Sequence, residues 1–345
     1  MGAILLSILP EFLREYGAYR MISYGLILIV LMALRPQGIM GEIGFLTRSK
    51  KRPDRDRTGV LRASTDLYYQ EGDRGKLRDI PTYAVGTRPM LELKRVVMNF
   101  GGLKAVNDLS FTLREREILS IIGPNGAGKT TVFNLISGIY PPSSGRVLYE
   151  GKDITGLKPH QVVETGIART FQNLRLFSNM SVLDNAKVSQ FCRTRCGPVS
   201  ILLRLPCHRR EEMDTDRVAK EKLTLFGARL TGYRFDQKAM FLSYANRRRL
   251  EVARAMSTNA KLLMLDEPSA GMNPQETIEM TQIIKELRDT YGYTILVIEH
   301  KLNVVKTISD RVIALDYGSK IAEGTYEEVA TNQQVIEAYL GRKGK

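Results

Sequence analysis

Residues 118–131 read Ile118-Leu119-Ser120-Ile121-Ile122-Gly123-Pro124-Asn125-Gly126-Ala127-Gly128-Lys129-Thr130-Thr131. An apolar run of strand length is followed by a glycine-rich loop and then by the opening of a helix-compatible run over 129–137. That order is the context a phosphate-binding loop requires. The glycines let the backbone wrap so that its N–H groups point inward, and the helix N-terminus adds partial positive charge. Lys129 would supply a point charge to the β- and γ-phosphates of a nucleoside triphosphate, and the Thr130 hydroxyl is placed to ligate Mg²⁺.

Working outward, strand-like runs at 91–100, 109–113 and 118–122 precede this helix, and short apolar runs at 262–265, 294–298 and 312–316 alternate with helical ones. Alternation of this kind predicts an α/β domain with a largely parallel central sheet. Residues 178–254 carry helical periodicity without clear strands, so a helical subdomain inserted between the two halves of the sheet is expected. The run Leu262-Leu263-Met264-Leu265-Asp266-Glu267 ends a buried-type strand in two carboxylates. Paired with the phosphate loop, Asp266 is the candidate to hold Mg²⁺ and Glu267 the candidate general base for an attacking water. Phosphoryl transfer to water is the reaction these parts serve.

The formal charge is +14 over 345 residues, with much of the basic excess between Arg48 and Arg95, ahead of the enzyme-like region. A basic stretch behind an apolar one reads as membrane-flanking, and no nucleic-acid recognition motif accompanies it, so nucleic acid is not the expected partner. The apolar run at 21–34, flanked by Arg20 and Arg35, would reach about 21 Å as a helix, short of the roughly 30 Å hydrocarbon core. It is expected to be a short membrane-type helix that spans with help from its flanks, lies in the interface, or packs against other helices. Residues 47–89, rich in Arg, Lys, Asp and Gly, read as a basic flexible linker, and the folded domain is expected over 90–345. Cys192, Cys196 and Cys207 are too few for a disulfide framework and match no common zinc spacing, so they read as free thiols of a reducing compartment.

With these motifs in place the chain resembles the ATP-binding-cassette (ABC) ATPases over nearly all of 90–341, and most closely those of branched-chain amino-acid importers. The resemblance implies the P-loop NTPase fold of a cassette: a mostly parallel central sheet, an antiparallel β part and the inserted helical subdomain. It assigns Phe100 to adenine stacking and the loop Gly123, Pro124, Asn125, Gly126, Ala127, Gly128, Lys129, Thr130 and Thr131 to the phosphates. Gln172, in Arg169-Thr170-Phe171-Gln172-Asn173, matches the family glutamine that touches Mg²⁺ or the lytic water. Ser243, Tyr244 and Ala245 align with the signature that binds the γ-phosphate held by a second cassette, and His300 with the switch histidine. Asp266, Glu267, and residues 268–274 (PSAGMNP) complete the set. The tail Ala338-Tyr339-Leu340-Gly341 is family texture without assigned chemistry.

Two departures matter. Ala245 and Asn246 stand where the family carries Gly and Gln, and a methyl group where backbone must approach phosphate or adopt positive φ would cost about 1 kcal/mol or more. Asn273 stands where most relatives carry Asp. Residues 19–41 separately resemble the last transmembrane helix and tail of the permease of the same importers, so 1–46 is expected to be a permease-like fragment. ATP and Mg²⁺ are the implied cofactors. The implied partners are membrane permease subunits, a second cassette, identical or not, and indirectly an external solute-binding protein, all at the cytoplasmic face of the cell membrane. A nucleotide-binding but catalytically weak tethered cassette, an importer of amides or urea, and a front segment joined by a shifted reading frame stay open on these residues.

Overall fold

The computed structural model describes residues 85–340, apart from 195, 198, 199, 202 and 204. The permease-like segment and most of the linker lie outside the described residues. Among those described, no helix is long and apolar enough to cross a membrane.

Strands β1 (Pro89–Phe100) and β2 (Leu103–Arg114) form a long antiparallel hairpin, extended by β4 (Ser144–Tyr149) and β5 (Lys152–Asp153) into a sheet ordered β2-β1-β4-β5. The second sheet is ordered β10-β9-β3-β8-β7-β6, from β3 (Ile118–Ile122), β6 (Ile167–Arg169), β7 (Leu262–Asp266), β8 (Thr294–Ile298), β9 (Arg311–Asp316) and β10 (Ser319–Gly324). Its strands run parallel except β10, which returns antiparallel along β9. β3, β7 and β8 are buried along their whole length, the pattern of strands covered on both faces.

That covering explains the alternation along each strand. Leu263, Leu265, Ile295 and Val297 join a core with the helical layer, through Leu223, Leu250 and Met256. Leu262, Met264, Leu296 and Ile298 face the opposite core, with Leu91, Leu93 and Leu113 of the hairpin sheet and with Val132, Phe133 and Ile136 of α1 (Lys129–Ile136). The helix that follows the phosphate loop is thereby fixed against both sheets by its apolar face. α2 (Pro159–Thr165) leads into β6.

The helical layer is built from α3 (Val182–Val188), α4 (Pro206–Thr224) and α5 (Tyr244–Ser257), with short 3₁₀ turns between them. Ser181 and Lys238 make an isolated bridge there. α6 (Pro274–Asp289), α7 (Leu302–Ile308), α8 (Tyr326–Ala330) and α9 (Gln333–Leu340) complete the described chain. Against the sequence reading, β2 starts at Leu103 rather than near 109, and β4, β5, β6 and β10 are added strands. β6 has only three residues, too few to show a period, and β10 is half-exposed and polar.

Register decides where the site lies. Ile121 pairs with Ile298, and Ile298 pairs with Asp266, so β3, β8 and β7 end level with one another. Their following loops emerge at one edge, where ligands gather in open parallel sheets. Phe133 is fully buried between the two sheets; Phe133→Ala is expected to cost about 3–5 kcal/mol of stability, read from the shift of the urea unfolding midpoint.

Candidate active site

The phosphate loop keeps its shape because two glycines lie flat against neighbouring backbone. Gly123 has φ +150° and Gly128 φ +95°; a Cβ would come within 2.2 Å of the Leu315 carbonyl oxygen at the first and 2.5 Å of the Ala105 carbonyl at the second. No side chain caps the N-terminus of α1, which leaves its first N–H groups available to an anion. Thr130 is exposed and Thr131 partly so, on the first turn. Lys129 is buried, and its Nζ donates to the carbonyls of Gly123 at 2.7 Å and Pro124 at 2.8 Å. Burial lowers its pKa, opposed by the nearby carboxylates of Glu267 and Asp266.

Asp266 and Glu267 share a strand end but have different surroundings. Asp266 is buried, and its Oδ2 accepts from Arg169 Nη2 at 2.9 Å. Burial raises the carboxyl's pKa, with Arg169 pulling it down. Its Oδ1 is buried and has no protein partner. Glu267 adopts φ +50°, a conformation a long side chain rarely takes. The turn carries its carboxylate away from the strand and into the cleft. There its Oε1 accepts from Gln172 Nε2 at 3.0 Å and lies 3.0 Å from His300 Nε2. Three residues singled out separately in the sequence, from loops after β6, β7 and β8, thus meet on one oxygen atom.

The signature residues take other partners. Ser243 is the N-cap of α5, its Oγ accepting from Asn246 N at 3.4 Å. The Tyr244 ring lies over Gly271, where a Cβ would be 2.9 Å from Tyr244 Cε1. Among the described residues no hydrogen bond joins Ser243, Tyr244 or Ala245 to the phosphate loop of their own chain. Phe100, at the tip of β1, is 41% exposed and meets Tyr140 edge-on, with ring centroids 5.3 Å apart. An open aromatic face beside the phosphate loop's sheet is the surface a nucleobase needs.

Two family models match this chain: ABC transporter over residues 106–270, and branched-chain amino acid ATP-binding cassette transporter over residues 319–344. The high-affinity branched-chain amino acid transport ATP-binding protein LivG of Salmonella typhimurium is 45% identical over 258 residues, 74% of this chain and 99% of that protein. BraF of Pseudomonas aeruginosa, of the same description, is 41% identical over 260 residues, again 74% and 99%. Among solved structures, the ADP conformation of the ABC transporter cassette MJ1267 superposes with a TM-score of 0.64 at 32% identity, covering 74% of this chain and all of that one. The chain belongs to the ABC transporter family. It is a transporter ATPase subunit with the cassette fold and its phosphate loop.

Within that family fold, the two departures in the signature read differently once seen in place. Ala245 is not among the residues with positive φ; it is the second residue of α5, and its methyl is 2% exposed, packed in the helical-layer core. The backbone strain expected of it is therefore absent, and alanine favours the helix. Asn246 is also buried, its Oδ1 accepting from Arg249 Nη1 at 2.8 Å. The rule that a glycine marks positive φ does not apply at a helix first turn.

Several site residues carry no local signal. Arg169 donates from Nη1 to Asn134 Oδ1 at 2.7 Å and Ser137 Oγ at 3.0 Å, tying Asp266 to α1. Glu299 accepts at Oε1 from Ser269 N at 2.9 Å and at Oε2 from His300 N at 3.1 Å. The tail also has a contact: Tyr339 Oη accepts from Gly123 N at 2.9 Å, and burial raises the phenol's pKa. Gly123 N–H has its partner in a residue 216 positions away, which no local pattern could reveal. Tyr339→Phe keeps the ring and leaves that N–H unpaired, at about 1 kcal/mol. ATP affinity is expected to fall roughly fivefold, measured by titration with a fluorescent nucleotide. Ala245→Gly is expected to lower stability by about 0.5–1 kcal/mol without raising ATP turnover, checked by urea unfolding beside a phosphate-release assay.

Proposed function

We propose that the chain is the motor of an importer for branched-chain amino acids, binding ATP between two cassettes and hydrolysing it to reset a membrane permease. The observation that carries the hydrolytic part is the meeting of Gln172 and His300 on the carboxylate of Glu267. A carboxylate that accepts from Gln172 and lies beside His300 at the strand edge is positioned to accept a proton from a water attacking the γ-phosphate. His300 would donate to the γ-phosphate, and Lys129 would exchange its two loop carbonyls for phosphate oxygens. Phe100 would stack on adenine, and Ser243 at the α5 N-terminus would meet the γ-phosphate held by the opposite cassette.

The donor set suits Mg²⁺. Asp266 Oδ1 is a buried, unpartnered carboxylate oxygen, the Gln172 amide oxygen is left free by its Nε2 bond, and Thr130 offers a hydroxyl. Hard oxygen ligands of this kind hold Mg²⁺ together with water and phosphate. When bound, the ion would neutralise charge on the β- and γ-oxygens. Arg169 keeps the other Asp266 oxygen occupied, so the carboxylate presents one oxygen to the site.

The amino-acid class of the cargo rests on the LivG and BraF relatives and on the match at residues 319–344. Residues 19–41, with their permease-like sequence, support a location at the cytoplasmic face beside the permease. The helical Ala245 removes the backbone strain as a reason for weak catalysis; Asn246 and the truncated membrane-like segment remain reasons for the catalytically weak alternative.

Glu267→Gln is expected to reduce ATP turnover about 10²- to 10⁴-fold while ATP binding is retained, with Lys129→Ala as the control that loses both. Undiminished hydrolysis by Glu267→Gln would remove the assignment of the base. Cells lacking the chain are expected to lose high-affinity uptake of radiolabelled leucine, isoleucine and valine; unchanged uptake of all three would remove the substrate assignment.

A further inference from the structure

A buried cation of the helical layer reaches the catalytic edge. Arg248 lies one turn into α5 and is fully buried. Its Nη1 donates to the Phe171 carbonyl at 2.6 Å and to Glu251 Oε2 at 2.8 Å. Its Nη2 donates to the carbonyls of Gln172 at 2.9 Å and Glu267 at 3.1 Å. Glu251, buried as well, uses its other oxygen to accept from Phe171 N at 3.2 Å. All four terminal guanidinium hydrogens are thereby assigned, and two of them hold the backbone of the two residues whose side chains meet at 3.0 Å.

A buried ion pair is a poor device for stability alone, because an apolar pair of similar volume serves as well or better. What a planar guanidinium supplies instead is a fixed fork, able to hold carbonyls from separate segments at a set spacing. The segments gathered here are the loop after β6, the turn after β7 and the body of α5. Ser243 caps the N-terminus of that same helix, about one turn before Arg248. A shift or rotation of α5 would therefore move the carbonyls of Gln172 and Glu267 with it, provided the fork stays intact.

We propose that Arg248, held by Glu251, is a positioning residue that sets the Gln172–Glu267 spacing and carries displacement of α5 to the hydrolytic carboxylate of its own chain. The inference rests on the proposed two-cassette reading, in which the N-terminus of α5 meets the nucleotide of the opposite chain. Engagement of that nucleotide at Ser243 would then be felt at Glu267, linking one ATP site to the other through side chains of a single protomer.

The test uses the full-length chain in three forms. Arg248→Lys keeps the charge but loses the fork. Glu251→Gln keeps the shape but loses the carboxylate. Arg248→Met with Glu251→Leu replaces the pair by apolar groups and leaves no unpaired charge. ATP turnover, its Hill coefficient, nucleotide affinity and thermal unfolding are measured for each, and Arg248→Lys is also combined with Gln172→Ala. Arg248→Lys is expected to unfold cooperatively and bind ATP within about threefold of the unmodified chain. Its kcat is expected to fall roughly 10- to 100-fold, the scale of an ångström-level misplacement, and its Hill coefficient to approach one.

The combined variant should be little worse than the poorer single one, since both changes act on one spacing. Multiplicative losses in that cycle, or kcat and Hill coefficient unchanged in both Arg248→Lys and the Met/Leu pair, would overturn the proposal. So would turnover losses that follow loss of folded protein. If the Met/Leu pair fails to fold, Arg248→Lys decides alone. Absence of Lys129-dependent hydrolysis in the unmodified chain would instead remove the hydrolytic reading on which the inference rests.

Discussion

The contact on which the site depends most is the ion pair between Arg169 and Asp266. Both side chains are almost wholly buried and their atoms stand 2.9 Å apart. A carboxylate in that position without a partner would take up a proton rather than hold a cation, as the upward pull of burial on Asp266 indicates. Arg169 opposes that pull and reaches α1 through Asn134 and Ser137, with its guanidinium over the rings of Phe133 and Phe171. The phosphate-loop helix, the end of β6 and the end of β7 are held by one side chain. Removing it would strand a buried charge, a loss of about 3–5 kcal/mol, and would break the polar tie between α1 and the end of β7.

How much of this was legible follows from where each constraint lives. The phosphate loop was readable because its demands are local: positive φ and close backbone contact at Gly123 and Gly128 admit almost one residue type. The two carboxylates after 262–265 were readable because a fully buried strand must stay apolar until it reaches the edge. Arg169, Arg248 and Tyr339 were not readable as site residues, since their partners are 97, 77 and 216 positions away in sequence. Of the two costs expected at Ala245, positive φ is absent because the backbone there is helical, a feature set by the helix and not by the residue type.

Lys129 illustrates how the loop can be ready for phosphate yet folded without it. Two carbonyls satisfy its ammonium, and a lysine buried without such partners would lose its proton instead. Phosphate oxygens are stronger acceptors for a cation than neutral carbonyls are. The exchange therefore favours nucleotide, and the carboxylates of Glu267 and Asp266 oppose the downward pull of burial on the amine's pKa.

The segment 268–274 lies between the start of α5 and the loop that bears His300, and its anchors lie at both ends. Glu299 receives Ser269 N and His300 N, while Lys301 Nζ donates to the carbonyls of Ser269 and Met272 and to Thr277 Oγ1. At the far end Asn273 caps α6 in a reciprocal box with Glu276. Asparagine caps a helix as well as aspartate does, so the change from the family's Asp leaves the local geometry intact. What it gives up is a full negative charge at the α6 N-terminus, about 0.3–1 kcal/mol at a surface position. Gly271, under the Tyr244 ring with φ +69°, is where this segment touches the start of α5. The strand end that bears His300 and the helix that bears Ser243 are thus in contact through one short loop, and the spacing of that loop is set by Glu299 and Lys301 rather than by the residues the signature names.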